Sequence, residues 1–411
     1  MATIATSYPK DKINILLLEN IHPSAIKLFR DKGYSNIESI TGSINEKELL
    51  DKMANVHLLG IRSKTQVSEA ILNNAPKLLA VGAFCIGTNQ VKMKQAIKNG
   101  VAVFNSPFSN TRSVAELVIG LGIMLMRRVY EKSEAAHKGL WLKESEHCFE
   151  VRGKTLGIIG YGHIGTQVSI LAEALGMKVI FYDVASRLSL GNAKAARSLD
   201  DLLKKSDIIT LHVPGTADTK DLIDAKKIKK MKSGVVLLNL SRGDVMDVWA
   251  VKDAIEKRHI GGLAVDVFPI EPKSNKDVFA SPLQGLRNVI LTPHIGGSTV
   301  EAQEAIGLDV AEKLINYLDC GSTAGSLTIP DLNLPILSNA HRILHIHNNV
   351  PGVLSQINGV LSKMKVNILG QYLKTNEDIG YVVLDIEKKN NTEVMTELKK
   401  VKNTIRTRSL F

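Results

Sequence analysis

A strand-like run, Thr155 to Ile159, passes without a spacer into Gly160-Tyr-Gly162-His-Ile-Gly165, and a helix-patterned stretch follows to Leu175. No other feature restricts the fold as much, because glycines at this spacing between a strand and a helix serve one kind of turn. The first permits the reversal, the second lets a pyrophosphate approach the backbone, and the third lets helix and strand pack closely. The helix N-terminus then offers unbonded N–H groups and the positive end of its dipole. Gly160, Gly162, His163, Ile164 and Gly165 are therefore expected to hold a dinucleotide. Asp183 closes the next strand-like run at the spacing such sites require. Its carboxylate can accept from both ribose hydroxyls and would repel a 2′-phosphate, so the expected cofactor is NAD.

The surrounding pattern agrees. Apolar runs at residues 178–183, 207–214, 234–241, 262–268 and 288–294 are near-continuous, as strands buried on both faces must be. An earlier block, from Lys12 to Asn105, shows the same alternation of short β-branched runs with helical spacing. Both read as parallel sheets covered by helices. Thr111 to Lys138 has few breakers and reads as one long helix, and Glu301 to Leu318 as another. Asp319 to Asn339 has linker composition. The last ~70 residues then give β-α-β-β-α-β, the ferredoxin-like order. The expected class is α/β, with two Rossmann-like parallel-sheet lobes and a ferredoxin-like C-terminal module.

Ligands of open α/β sheets sit beyond the carboxyl ends of the strands. Arg242, Glu271 and His294 each follow such an end. Together they suit a 2-hydroxy acid. A planar guanidinium binds a carboxylate bidentately, an imidazole takes the hydroxyl proton near neutral pH, and a carboxylate on the far ring nitrogen orients that imidazole. Each alone is also compatible with a capping residue, a surface ion pair or a turn.

Composition narrows the remainder. Fifty-two Lys and Arg against forty-one Asp and Glu leave +11, which suits anionic ligands. The basic residues are scattered, the densest cluster being Lys226 to Lys232, and aromatics are only 5%. That is poor material for nucleic-acid stacking. Three distant cysteines, Cys85, Cys148 and Cys320, form neither a disulfide framework nor a zinc pattern, so no metal is expected. Met1 to Asp11 has no apolar signal core, and the longest apolar run, Leu117 to Met126, is too short to span a membrane. The chain reads as cytoplasmic.

The segments NLSRGDVMD, AVDVFPIEP and LTPHIGGSTVEAQ resemble the signatures of the D-2-hydroxyacid dehydrogenases, and the resemblance runs essentially to Phe411. Within that family the chain is similar to the bacterial type with a C-terminal ACT domain. The resemblance implies Arg242 as carboxylate anchor, Glu271 as relay, His294 as acid–base and Asp266 as a further cofactor residue. It implies a discontinuous outer lobe (1–108 and 298–332), an inner NAD lobe (109–297) and an ACT domain (340–411), with closure that excludes water. It also implies 3-phospho-D-glycerate as substrate, oxidised on the way to serine, with 2-oxoglutarate reduction as a further capability. Arg62, Ser63 and Asn110 would hold the phosphate, and the backbone of Ile86 and Gly87 would lie near the carboxylate. Trp141 and Lys143 would belong to a loop reaching the active site or a neighbouring subunit. His347, Asn349 and Asn367 would contact the effector L-serine, and the assembly would be a homotetramer. Where relatives carry a Gly-Gly hinge, this chain reads Ser338-Asn339-Ala340-His341-Arg342, with less backbone freedom. Two alternatives stay open: a dehydrogenase of this family for another substrate, and an NAD-sensing regulator.

Overall fold

The structure is a computed structural model, and it describes residues 8–272, 276–335, 340–388 and 391–410. Ser338 and Asn339 of the expected hinge lie outside these. The chain divides into two compact units. One holds the described residues up to Ser109 and from Gln303 on, and the other holds Asn110–Ala302.

In the first unit, β1 (Ile15–Leu17), β2 (Ile37–Ser39), β3 (Leu58–Ile61), β4 (Ala80–Ala83) and β5 (Ala102–Asn105) form a parallel sheet in the order β2-β1-β3-β4-β5. Except for β2 these strands are fully buried, which is why their sequences read as continuous apolar runs. β2, with the pattern Ile-Glu-Ser, carries no such signal and escapes sequence reading. Helix ends follow ordinary capping chemistry. Pro23 occupies the first turn of Pro23–Asp31, and Asn45 with Glu48 forms a capping box on Glu46–Met53.

The second unit is a seven-stranded sheet. β6 (Thr155–Ile159), β7 (Lys178–Tyr182), β8 (Lys194–Ala195), β9 (Ile208–Leu211), β10 (Val235–Asn239), β11 (Ile260–Val265) and β12 (Val289–Leu291) run in the order β12-β11-β10-β9-β6-β7-β8, all parallel. The direction of winding reverses between β6 and β9, and the carboxyl ends there open the crevice in which such sheets bind ligands.

The expected long helix from Thr111 is in fact two, Thr111–Met126 and Val129–His137. Arg128 between them adopts a left-handed φ of +53°. The break lets Glu131 accept from Arg128 Nε at 2.6 Å, Arg287 Nε at 3.2 Å and Asn288 N at 3.1 Å. Apolar patterning on both sides of Arg128 hid a turn that this charge cluster imposes.

β13 (His341–Asn348), β14 (Ile368–Thr375), β15 (Ile379–Ile386) and β16 (Thr404–Ser409) form an antiparallel sheet, β14-β15-β13-β16. One face is covered by helices Val353–Lys363 and Asn391–Lys399. On the other, Leu344, Ile346, Tyr381 and Val383 join the core of the five-stranded sheet. The segment from Gly321 to Pro335 is no free linker. Thr323, Thr328 and Ile329 are buried, and Thr328 Oγ1 accepts from Val103 N at 2.9 Å and donates to Val101 O at 2.8 Å. Of the expected linker, Asp319 and Cys320 belong to helix Val300–Cys320, and linker composition gave no sign of that. Nor could it reveal that this segment edges β5, with Leu327 N donating to Val103 O at 2.8 Å and an antiparallel bridge joining Phe104 and Ser326 beside the Thr328 hydroxyl.

Candidate active site

Gly160 leaves β6 with φ +92°, and a Cβ there would stand 2.4 Å from the carbonyl oxygen of His212, which follows β9. A Cβ on Gly165 would stand 2.3 Å from Gly160 O. Both positions therefore admit glycine alone, whereas Gly162 faces open space, as close ligand approach requires. Helix His163–Ala174, which includes Ile164, begins at Gly162 with no side chain capping it, so its positive dipole end faces the turn. The turn rests on Tyr161, whose ring stacks on Phe181 at 3.8 Å and whose hydroxyl lies 3.0 Å from Ser169 Oγ. Asp183 is aimed by two backbone donors, Tyr161 N at 2.8 Å and Ala185 N at 2.9 Å, with Arg187 at 3.4 Å. These residues fit a dinucleotide: the cradle is closed to a Cβ where the chain must turn and open where phosphate must enter.

Beyond β10, β11 and β12, Glu271 and His294 are hydrogen-bonded to each other, and Arg242, whose Nη1 donates to Ser241 O at 2.7 Å, acts on both through its charge. Glu271 Oε2 lies 2.8 Å from His294 Nδ1, and Glu271 Oε1 accepts from Phe268 N at 3.1 Å. The Glu271 hydrogen bond raises the His294 pKa above its ordinary value; burial and the Arg242 charge oppose it, and the charges of Glu271 and Asp266 add to it. Burial pushes Glu271 upward, but the bond and charge of His294, the Phe268 N–H and Arg242 outweigh it and hold this carboxyl below the usual range. Arg242 thus acts electrostatically on both partners. Its loop is set by buried Asn239, whose Nδ2 donates to Arg242 O at 3.0 Å and whose Oδ1 accepts from Ser241 N and Oγ. His294 itself has φ +54°, a left-handed conformation that a side chain adopts at a cost.

Asp266 is the residue that holds that conformation. It is 1% exposed, and its oxygens accept from Thr292 Oγ1 at 2.6 Å, Ile295 N at 2.8 Å and Gly296 N at 2.8 Å, straddling His294. The loop engages three of the roughly four acceptor positions of this carboxylate, leaving one on Oδ2. The same loop reaches Asn110, because a Cβ on Gly297 would stand 2.3 Å from Asn110 Nδ2. Asn110 Oδ1 is buried without a hydrogen-bond partner. Lys143 sits on an exposed stretch whose neighbours Leu142 and Glu144 are held through their carbonyls by Lys132. No hydrogen bond joins Lys143 to the other site residues among those described. Trp141 beside it is 86% exposed, unusual for so large an apolar side chain.

In the first unit the expected substrate residues also cluster at strand ends. Arg62 and Ser63 follow β3, and Ile86 and Gly87 lie beyond β4, its neighbour. One amide ties the two loops, since Gln90 Nε2 donates to Arg62 O at 2.7 Å and Gly87 O at 3.2 Å. Asn105 Nδ2 donates to Ile86 O at 2.7 Å. Glu19, buried after β1, accepts from the backbone N–H groups of Arg62, Lys64 and Thr65. Sequence reasoning missed Glu19 and Gln90. The strand-end rule that singled out Arg242 would have found Glu19, which directly follows a strand run, whereas Gln90 carries no local signal.

The effector candidates separate within one chain. His347 is buried near the end of β13, with Nδ1 unpartnered, and Asn349 Nδ2 donates to Asn376 O at 2.7 Å. Asn367 precedes β14, whose Ile368 pairs with Ile386, and Ile386 pairs with His341. Asn367 therefore stands at the opposite end of the sheet from His347 and Asn349.

Three comparisons bear on this arrangement. The family described as D-isomer specific 2-hydroxyacid dehydrogenase, NAD binding domain, matches residues 119–296, and the AHAS small subunit-like ACT domain matches residues 343–406. The D-3-phosphoglycerate dehydrogenases of Dictyostelium discoideum and Escherichia coli are each 50% identical to this chain, covering 99% and 98% of it and 99% of their own lengths. The crystal structure of Aquifex aeolicus D-lactate dehydrogenase with NAD and lactic acid superposes with a TM-score of 0.68 at 27% identity, over 77% of this chain and 100% of that one.

Proposed function

The chain belongs to the D-3-phosphoglycerate dehydrogenases, NAD-dependent members of the D-2-hydroxyacid dehydrogenase family, and on that premise we propose that it oxidises 3-phospho-D-glycerate to 3-phosphohydroxypyruvate. The observation that carries the reading is the 2.8 Å bond between Glu271 and His294, raised on a strained loop beside Arg242.

NAD, when bound, supplies the two-electron acceptor, and Gly160, Gly162, Gly165, the start of helix His163–Ala174 and Asp183 would hold it. Arg242 binds the substrate carboxylate through its guanidinium. His294 receives the C2 hydroxyl proton on Nε2. Glu271, on Nδ1, fixes the tautomer that leaves Nε2 free to accept and stabilises the imidazolium that results. Asp266 contributes by holding Thr292, Ile295 and Gly296 so that the ring keeps its direction. Arg62, Ser63 and Asn110 are the proposed phosphate ligands, with Ile86 and Gly87 offering backbone polar groups to the carboxylate. Lys143 is kept as a substrate residue only on the strength of its loop.

L-serine is the proposed effector of the ACT domain. With Asn367 at one end of the sheet and His347 and Asn349 at the other, one serine meets all three only where two copies pair so that one presents its His347 end beside the other's Asn367 end. That supports an oligomer, and exposed Trp141 supports a second contact between subunits. The test is NADH formation from 3-phosphoglycerate at alkaline pH, with and without L-serine. Turnover suppressed by serine supports both assignments. Turnover with lactate or glycerate but none with 3-phosphoglycerate refutes the phosphate assignment.

A further inference from the structure

Within the first unit, where the four-stranded sheet packs on the five-stranded one, the chain forms a half-open cavity of about 210 Å³. Ile13, Leu79, Leu318 and Leu410 give it apolar walls: the first two precede β1 and β4, Leu318 lies on helix Val300–Cys320, and Leu410 follows β16. One polar wall is closed on itself. Lys10 Nζ lies 2.8 Å from Asp319, and Tyr34 OH donates to the same carboxylate at 2.6 Å, so this group is electrically neutral and both its oxygens are engaged.

Arg408 is different. Nη2 donates to Leu318 O at 3.0 Å and the guanidinium lies over Tyr317 at 5.2 Å, but Nη1 is buried and has no hydrogen-bond partner. No carboxylate pairs with it among the described residues. A half-buried cation with no carboxylate partner favours an anion beside it. His57 also lines the cavity, and its Nδ1 accepts from Asn14 N at 3.0 Å, which places the ring proton on Nε2. Burial, with the charges of Lys77 and Arg408, holds the His57 pKa below its ordinary value and keeps the ring a neutral donor.

We propose that this cavity binds a small organic monocarboxylate with an apolar body, its carboxylate pairing with the Arg408 guanidinium in the cavity wall. One uncompensated cation matches one negative charge, which disfavours a phosphate dianion. No unengaged carboxylate in the wall serves an ammonium, which disfavours a zwitterionic amino acid. The site is also distinct from the effector residues above, because Arg408 pairs with Leu344 on β13 whereas His347 lies three residues further along that strand, opposite Thr404. Its occupant would brace β16 against Leu79 and Leu318.

The experiment uses the full-length protein and 3-phenylpropanoate, which lacks the 2-hydroxy or 2-oxo group that Arg242 and His294 would process. Saturable binding is measured by equilibrium dialysis, with folding of each variant checked by circular dichroism. The expected result is saturable binding that Arg242→Gln leaves intact and Arg408→Gln weakens about tenfold or more, the loss of one charge-assisted hydrogen bond. Leu79→Phe, which narrows the cavity while keeping Arg408, is expected to weaken binding comparably, and it decides the matter if Arg408→Gln fails to fold. Inorganic phosphate should not displace the ligand. The proposal is overturned by absence of saturable binding, by binding that survives in Leu79→Phe and Arg408→Gln, by binding lost in Arg242→Gln, or by displacement with phosphate.

Discussion

Asp266→Asn tests whether a residue that touches no reacting group sets the direction of the catalytic imidazole. The three bonds Asp266 accepts, at 2.6, 2.8 and 2.8 Å, flank a histidine whose φ is +54°. Asparagine in its milder orientation keeps Oδ1 for Thr292 and Ile295 and turns an amide donor toward Gly296 N–H. One bond to an ionised acceptor is then lost, about 1.5–3 kcal/mol. The left-handed backbone at His294 stores about 1–3 kcal/mol of its own, so the weakened tether no longer exceeds the strain it opposes. The loop relaxes and the ring leaves Glu271. At 1.36 kcal/mol per factor of ten, kcat/KM for NADH formation falls about 10- to 100-fold. The charge of Asp266 also supports the raised His294 pKa, so the limb of the pH–rate profile that reports deprotonation of His294 moves to lower pH. A variant that keeps kcat/KM within about threefold and leaves that limb in place would refute the argument, since neither the bond nor the charge would then be acting through His294.

Other expectations follow from single contacts. Glu271→Gln lowers kcat by about 10²- to 10⁴-fold and moves the same limb to lower pH, read from pH–rate profiles. In the unaltered protein the Glu271–His294 pair stabilises fully between 4.5 and 6.5, the ordinary values of the two groups. That contribution is lost as pH falls through the lowered Glu271 pKa and as it rises through the raised His294 pKa, and urea midpoints across pH should lose both dependences in the variant. Asp183→Ala removes a charge-assisted acceptor oriented by Tyr161 N and Ala185 N; KM for NAD rises about tenfold or more and the preference over NADP narrows in paired assays. Asp385→Ala removes the carboxylate paired with Arg342, which is 0% exposed and bonded twice to Asp385 at 2.7 Å, and leaves its charge only the carbonyls of Cys320 and Pro335. It costs about 3–5 kcal/mol by urea unfolding, most of which Asp385→Leu with Arg342→Met recovers.

The dinucleotide turn was legible because its demands are local. A strand, a sharp reversal and a helix start lie within a dozen residues, and Gly160 and Gly165 are the only residue type that fits. Arg242, Glu271 and His294 were legible by a rule of position, since parallel strands present their carboxyl ends on one side whatever their order. What that rule left open was how they would be held. The bond from Glu271 to His294 spans 23 residues, and the Asp266 tethers span 26 to 30. No short-range pattern encodes such distances.

Sequence by itself determined the class of fold, the glycine turn after β6 and the strand-end positions of Arg242, Glu271 and His294, because each follows from periodicity, from steric limits within one turn or from the shared direction of parallel strands. The tertiary structure alone decided the break at Arg128, the burial of the 321–335 segment against β5, the separation of Asn367 from His347, and the cavity at Arg408. Each depends on which distant groups satisfy a buried donor, acceptor or charge, and that is fixed only when the sheets have packed.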